Sequence, residues 1–88
     1  MKDDINPKEL AIEYPCVWRY KIIIVSQSSI NDIVKEILKG REYNIKFSHE
    51  SKNGGYKSYN LDIPVFNGED REALFRALEA HSDVKFIL

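Results

Sequence analysis

The segment Asn53-Gly54-Gly55 lies between two stretches in which apolar and polar residues alternate, residues 43–50 and residues 56–66. Alternation with a period of two is typical of a β-strand that is buried on one face. An asparagine followed by two glycines provides the positive φ angles that a tight hairpin turn requires. The sequence therefore predicts an antiparallel strand pair near the middle of the chain.

A strand and a helix are predicted before this hairpin, and a helix and a strand after it. Residues 17–26 are rich in β-branched and aromatic residues, which favours a central strand, and apolar residues recur at helical spacing from Ile30 to Leu38. A serine before this helix and Gly40 after it are typical helix ends. Beyond the hairpin, the pattern predicts a second helix after Asn67 and a fourth strand over residues 83–88.

The order β-α-β-β-α-β predicts an α+β fold of the ferredoxin-like plan. Right-handed crossovers place both helices on one face of a four-stranded antiparallel sheet and leave the other face open. The 88 residues, 43% hydrophobic and 31% charged, suffice for one domain with one small core. We assign residues 16–88 to this domain and residues 1–15 to a loose N-terminal arm, with a helical turn near Asn6-Pro7.

Charge and cysteine content restrict the classes of function. Thirteen Lys and Arg residues against fourteen Asp and Glu residues give a formal net charge of -1, so no net field attracts phosphate backbones or anionic lipid. The lone cysteine, Cys16, cannot form an internal disulfide, and the longest apolar run, residues 22–25, is far shorter than a membrane span. Because the acidic start also lacks a signal-peptide pattern, we expect a soluble, cytoplasmic protein.

Strand parity predicts which side chains lie on each face of the sheet. The helix-covered face should collect Tyr20, Ile22, Ile24, Ile45, Phe47, Tyr59, Leu61, Ile63, Phe86 and Leu88. The open face should carry Arg19, Lys21, Ile23, Val25, Lys46, Ser48, Ser58, Asn60, Asp62, Lys85 and Ile87. Because most strand aromatics fall on the covered face, base stacking of the kind used by RNA-recognition domains is not expected.

The open face supplies the leading candidate binding surface. It consists of apolar side chains ringed by cations, namely Arg19, Lys21, Ile23, Lys46, Lys85 and Ile87. A mixed surface of this kind suits contact with another protein or with a second copy of the chain. The competing interpretation is a solvated face on which a few aliphatic side chains have no partner.

Two other segments and one tryptophan are candidate sites. The turn Ser26-Gln27-Ser28-Ser29 leads into the first helix, where free N–H groups and hydroxyls can hold an anion; ordinary N-capping is the alternative. The loop Lys52-Asn53-Gly54-Gly55-Tyr56 is either a ligand-binding loop or a plain flexible hairpin. Trp18 is either a partner anchor or an attachment of the arm to the sheet edge.

The sequence contains no constellation of catalytic or metal-binding residues. His49 and His81 belong to no cluster with metal-ligand spacing, so we predict neither a metal nor another cofactor. Cys16 has no basic neighbour other than Arg19 to stabilise a thiolate, and free cysteines are most often small buried hydrophobic residues. Acylphosphatases share this topology but need an arginine in a glycine-containing loop, both of which residues 26–29 lack. We therefore predict a protein that is not an enzyme.

Several short motifs resemble the YbeD-like family of small bacterial proteins of unknown function. They are Tyr14-Pro15 ahead of Tyr20-Lys21-Ile22, the loop from Ser51 to Ser58, and the closing Val84-Lys85-Phe86-Ile87-Leu88. The resemblance extends from Glu13 to Leu88. It implies a ferredoxin-like fold similar to ACT-type regulatory domains, and it implies no catalytic residues.

These observations favour a non-enzymatic regulatory or protein-interaction module that binds a partner protein or a small ligand. The alternative is weak nucleic-acid binding through the basic residues of the open face. A membrane is not an expected partner, and we expect a monomer or a weak homodimer.

Overall fold

The computed structural model describes residues 12–88, and these residues adopt the predicted element order. The strands are β1 (Cys16–Val25), β2 (Asn44–Glu50), β3 (Tyr56–Val65) and β4 (Val84–Ile87), and the helices are α1 (Ile30–Leu38) and α2 (Gly68–Ala80). Neighbouring strands are antiparallel, and their order in the sheet is β2-β3-β1-β4. This confirms the α+β ferredoxin-like fold. Most of the predicted arm, including the turn at Asn6-Pro7, lies outside the described residues.

The ends of both helices follow the capping residues that the sequence indicated. Ser29 caps α1 by accepting a hydrogen bond from the Asp32 N–H at 3.3 Å, and Asn67 caps α2 by accepting one from the Asp70 N–H at 2.8 Å. After α1 the chain turns through Gly40 with a φ of 87°, as predicted, and Lys39 before it is also left-handed, with a φ of 48°.

The hydrophobic core lies between one face of the sheet and the two helices. Tyr20, Ile22 and Ile24 of β1 are buried beside Leu61 and Ile63 of β3, as the parity predicted. The helices contribute Ile30, Ile33, Val34 and Leu38 from α1, and Leu74 and Leu78 from α2. No helix within residues 12–88 is long and apolar enough to cross a membrane.

Hydrogen bonds from Tyr20 and Arg41 connect α2 with the sheet and with the segment after α1. The Tyr20 hydroxyl donates to the Arg71 carbonyl at 2.6 Å, and burial raises the pKa of this hydroxyl to about 12, so it remains a donor at neutral pH. The Arg41 guanidinium donates two hydrogen bonds of 2.8 Å to the Asp70 carboxylate and a third of 2.8 Å to the Pro64 carbonyl. These bonds tie the segment after α1 to the start of α2.

A β-bulge in β4 overturns the predicted parity of that strand. Ile23 pairs with Phe86 whereas Ile24 pairs with Val84, so Lys85 is an extra residue with no counterpart on β1. Ile87 is therefore buried on the helix-covered face, opposite Ile22, and Phe86 takes the open face with 65% of its surface exposed. The predictions that placed Ile87 on the open face and Phe86 on the covered face were wrong. Leu88, also predicted for the covered face, hydrogen-bonds opposite Lys21 and is exposed.

A second bulge occurs in β2. Phe47 pairs with Tyr59 and His49 pairs with Ser58, which makes Ser48 the extra residue. The open-face position that we expected for Ser48 is consequently held by His49. Phe47 keeps its predicted face beside Tyr59, with the ring centroids 5.7 Å apart, but it remains exposed because β2 is an outer strand of the sheet.

Candidate functional site

The four strands each contribute one residue to a row across the open sheet face. Along the row from β2 to β4 stand His49, Ser58, Ile23 and Phe86, each paired with the next in register. Tyr56, at the start of β3 and 45% exposed, borders this row on the same face, two residues from Ser58. The open face thus carries two exposed aromatic rings close to the aliphatic side chain of Ile23.

Two shallow cavities adjoin this row and share Ile23 and Tyr56 in their walls. One, of about 230 Å³, is also lined by His49 and Ser58, and the other, of about 370 Å³, is also lined by Phe86. We call the two cavities together the trough and define it by the residues that line them, which are Ile23, His49, Ser51, Tyr56, Lys57, Ser58, Lys85 and Phe86.

Ser58 is the one buried polar side chain of the trough. The residue is only 3% exposed, and its Oγ has less than 1 Å² of accessible surface. Within residues 12–88 no group donates to or accepts from this oxygen. A buried hydroxyl without a partner costs free energy relative to one that is hydrogen-bonded, so Ser58 is an unsatisfied group beside an accessible cavity.

Cations surround the trough, but one of those predicted is already paired. The Arg19 guanidinium makes a two-point ion pair with Asp62 across the β1–β3 ladder, with distances of 2.7 and 2.9 Å. Lys21 and Lys46 lie in the neighbouring row, and Lys85 lines the trough. These three lysines lie outside that ion pair. Lys57 also lines one of the cavities, although its pairing with Ile24 assigns it to the helix-covered face.

The Asp62 carboxylate is held ionised on this face. Its hydrogen bond from Arg19 lowers its pKa, and the nearby charges of Arg19 and Lys46 act in the same direction. Arg19 is therefore engaged in a local pair, whereas the lysines near it are available to a partner.

The candidate loop of residues 52–56 is ordered by its own hydrogen bonds. The Asn53 side-chain oxygen accepts from the Gly55 N–H at 3.1 Å, and the Ser51 Oγ accepts from the Tyr56 N–H at 3.0 Å. Gly54 has a φ of 76°, which explains the glycine at that position. Of this loop, only Tyr56 lines the trough, together with the neighbouring Ser51; Lys52 is exposed.

The candidate anion turn has most of its polar groups engaged within the fold. The Ser26 hydroxyl and N–H donate to the carbonyls of Gly54 and Gly55, and the Ser28 N–H donates to the Val25 carbonyl at 2.9 Å. Ser29 is the helix cap described above, and Gln27 is exposed. The turn therefore fastens the β2–β3 loop and begins α1, as the N-capping alternative predicted.

A larger cavity, of about 590 Å³, lies on the helix side next to Trp18. The Arg71 guanidinium lies over the Trp18 ring, 4.6 Å from its centroid, and donates to the Tyr14 hydroxyl at 3.0 Å. Trp18 therefore helps to attach the segment around Tyr14, in line with the second of its two interpretations. Tyr20 and Arg71 in its wall are already hydrogen-bonded within the fold, and among the described residues this cavity has no buried polar side chain without a partner.

The histidines and the cysteine form no site together. His81 Nδ1 accepts the Asp83 N–H at 3.1 Å, which leaves Nε2–H to donate to Glu36 at 3.3 Å and links the end of α2 to α1. Cys16 is partly buried against the core. In the described part of the chain, no three His, Cys, Asp or Glu side chains are grouped as metal ligands.

Sequence reasoning found part of the trough and missed the rest. Ile23 and Lys85 were predicted for this face, and Tyr56 was chosen as a loop residue. Phe86 and His49 were not predicted for the open face, because the two bulges bring them to it. Ser58 was predicted for this face, but its burial was not predicted. The one signal of such a bulge is an even number of residues between two apolar positions of a strand, as with the two residues that separate Val84 from Ile87.

The fold and the site define a small α+β domain of the ferredoxin-like class, with a cationic sheet face around an apolar trough. Residues 9–88 match the family described as "Protein of unknown function (DUF493)". The chain belongs to this family, which includes the bacterial UPF0250 proteins.

The relatives cover almost the full chain. An uncharacterized protein of Campylobacter jejuni is 41% identical over 92% of this chain and 91% of its own length. A UPF0250 protein of Pectobacterium atrosepticum is 31% identical over 100% of both chains. The solution structure of a Helicobacter pylori protein is similar, with a TM-score of 0.84 and 28% identity, over 100% of this chain and 93% of that one.

Proposed function

We propose that this protein is a non-enzymatic interaction module whose open sheet face binds an acidic segment of a partner protein. The observation that carries the proposal is the combination of exposed Phe86 and Tyr56 with the lysines around them. Aromatic side chains dominate protein interfaces, and lysines at a rim steer a partner of opposite charge. The trough is the apolar centre of such an interface.

Charge distribution supports an acidic partner. The chain has a net charge of -1, yet its open face has three unpaired lysines against Asp62, which is matched by Arg19. The compensating negative charge lies elsewhere, in part on α2, whose charged residues are Glu69, Asp70, Arg71, Glu72, Arg76 and Glu79. A partner of negative charge would therefore be attracted to the open face in preference to the α2 side.

A protein segment fits this face better than a nucleic acid does. Phe86 lies on an outer strand and Tyr56 is the first residue of β3. The middle of the sheet, where stacking rings would have to lie, holds Lys21, Ile23 and Asn60. Nucleic-acid binding remains the alternative, and the capture experiment below distinguishes it by nuclease treatment.

The test compares matched variants in affinity capture from a lysate of the source bacterium, with bound proteins identified by mass spectrometry. Phe86→Ala and Lys46→Glu alter the open face. Phe66→Ala, equally exposed at 65%, and Lys35→Glu on α1 are their controls. We expect an acidic protein that the wild type and both controls retain and that both open-face variants lose.

The identified protein is then purified and titrated into labelled wild-type chain. Amide shifts should concentrate at Ile23, Lys46 and Phe86, and the affinity should fall as salt concentration rises. The proposal fails if Phe86→Ala retains the partner as well as Phe66→Ala does. It also fails if nuclease treatment removes the bound material, since the ligand is then a nucleic acid.

A further inference from the structure

We infer that the trough is a pocket for a tyrosine side chain presented by the acidic segment; this inference rests on the proposed function and names the anchor residue. The starting observation is Ser58, whose hydroxyl is buried and lacks a partner among residues 12–88. Hydroxyls are normally hydrogen-bonded when they are buried, so an unpaired one beside a cavity marks a position where a bound group supplies the partner.

The surroundings of Ser58 favour a ligand side chain that is apolar along its length and has a polar group at its end. Ile23 and Tyr56 line both cavities of the trough, and the wall of the cavity that Ser58 lines consists mainly of apolar atoms. A tyrosine ring packs against aromatic walls in offset or edge-to-face geometry, and its phenol both donates and accepts hydrogen bonds. A phenylalanine ring would fill the same space and leave the hydroxyl unpaired.

Two side chains of the cavity that Ser58 lines are exposed. They are His49 and Tyr56, the latter 45% exposed. Exposed side chains change rotamer within picoseconds to nanoseconds, so these two can move to admit a ligand. The lysines around the trough then contact acidic residues that flank the tyrosine.

The experiment uses an acidic pentapeptide, with a central tyrosine between glutamates, and the same peptide with phenylalanine at its centre. Each is titrated into labelled chain, and shifts at Ile23, Ser58 and Phe86 are followed. The tyrosine peptide should bind about fivefold more tightly than the phenylalanine peptide, the gain that one new hydrogen bond typically gives.

The variant Ser58→Ala separates this role from a structural one. It should remove the preference for tyrosine, and it should raise the urea midpoint because it deletes an unpaired buried hydroxyl. The exposed Ser82→Ala is its control and should change neither quantity. A lower urea midpoint for Ser58→Ala would mean that the hydroxyl has a partner within the fold, and it would overturn the inference.

Two further outcomes would overturn the tyrosine pocket. They are equal affinity for the two peptides and no shifts at millimolar peptide. In each of these cases the proposed function still stands if Phe86→Ala loses the captured protein. If Phe86→Ala and Lys46→Glu both retain that protein, the proposed function fails independently of the peptide results.

Discussion

Phe86 lies opposite Ile23 on the sheet face without helices, while its chain neighbour Ile87 is buried opposite Ile22 on the other face. This arrangement predicts that replacing the two side chains with alanine lowers the free energy of unfolding by different amounts. Ile87→Ala should destabilise the protein by about 2–4 kcal/mol, because it opens a cavity in the core. Phe86→Ala should cost less than about 1 kcal/mol, because its ring is largely in solvent. Urea unfolding of both variants measures the difference.

A β4 strand without a bulge at Lys85 would place Phe86 in the core and Ile87 in solvent. The larger loss of stability would then belong to Phe86→Ala. That order of the two urea midpoints would contradict the register described above.

The Arg41–Asp70 pair predicts how stability depends on acid. Hydrogen bonds from Arg41, together with one from the Phe66 N–H, lower the pKa of Asp70 to about 2. Because the folded-state pKa lies below the unfolded value, this contribution is complete above about pH 4 and is lost as the pH falls through about 2. Asp70→Asn should therefore be less stable than wild type at neutral pH, and the gap should close between pH 4 and pH 2 in urea unfolding. A gap that stays constant over that range would refute this account.

The Arg19–Asp62 pair should contribute little to stability despite its two-point geometry. The Arg19 side chain is 60% exposed, and solvent screens exposed ion pairs. A double-mutant cycle of Arg19→Ala and Asp62→Ala should therefore give a small coupling free energy, and the coupling should fall further in high salt. A large coupling that salt does not reduce would show that the pair is structurally important.

Two glycines should respond to alanine in opposite ways. Gly54 has a φ of 76°, so Gly54→Ala should destabilise the protein by about 1–2 kcal/mol through backbone strain. Gly68 opens α2 without a positive φ, and an added Cβ would lie 3.9 Å from the Tyr14 hydroxyl, an ordinary contact. Gly68→Ala should therefore be neutral or stabilising by up to about 1 kcal/mol. Equal effects in thermal unfolding would argue against the left-handed turn at Gly54.

Arg71 should control the environment of the single tryptophan. Its guanidinium covers the Trp18 ring, so Arg71→Ala should expose the indole and shift its fluorescence emission to longer wavelength. Loss of the cation–π contact and of the bond to Tyr14 should cost about 1–2 kcal/mol. Arg76→Ala, whose side chain is 75% exposed, is the control and should leave the emission unchanged. An unshifted spectrum for Arg71→Ala would contradict the stacking.

The sequence predicted the element order and the faces of β1 and β3 because these depend on local patterns. Apolar residues at Ile22, Ile24, Leu61 and Ile63 alternate without interruption, so their parity needs no knowledge of the partner strand. The caps and the turn glycines were likewise readable from residue type.

The composition of the trough was not predictable in the same way. A bulge is a property of a strand pair, and the segment around Lys85 indicates it only through the spacing of Val84 and Ile87. One extra residue moved Phe86 to the surface and Ile87 into the core. The missing partner of Ser58 is also a property of tertiary packing, since the sequence showed only a serine at an open-face position.

Both outer strands of the sheet formed by residues 12–88 carry one extra residue, Ser48 in β2 and Lys85 in β4. Each bulge interrupts the regular spacing of outward-facing N–H and C=O groups that a strand from another molecule would need for pairing. Bulged edges of this kind disfavour pairing with a strand of another molecule, which is the first step of sideways growth into an aggregate. The exposed ring of Phe86 thus lies on a sheet whose edges do not favour such pairing.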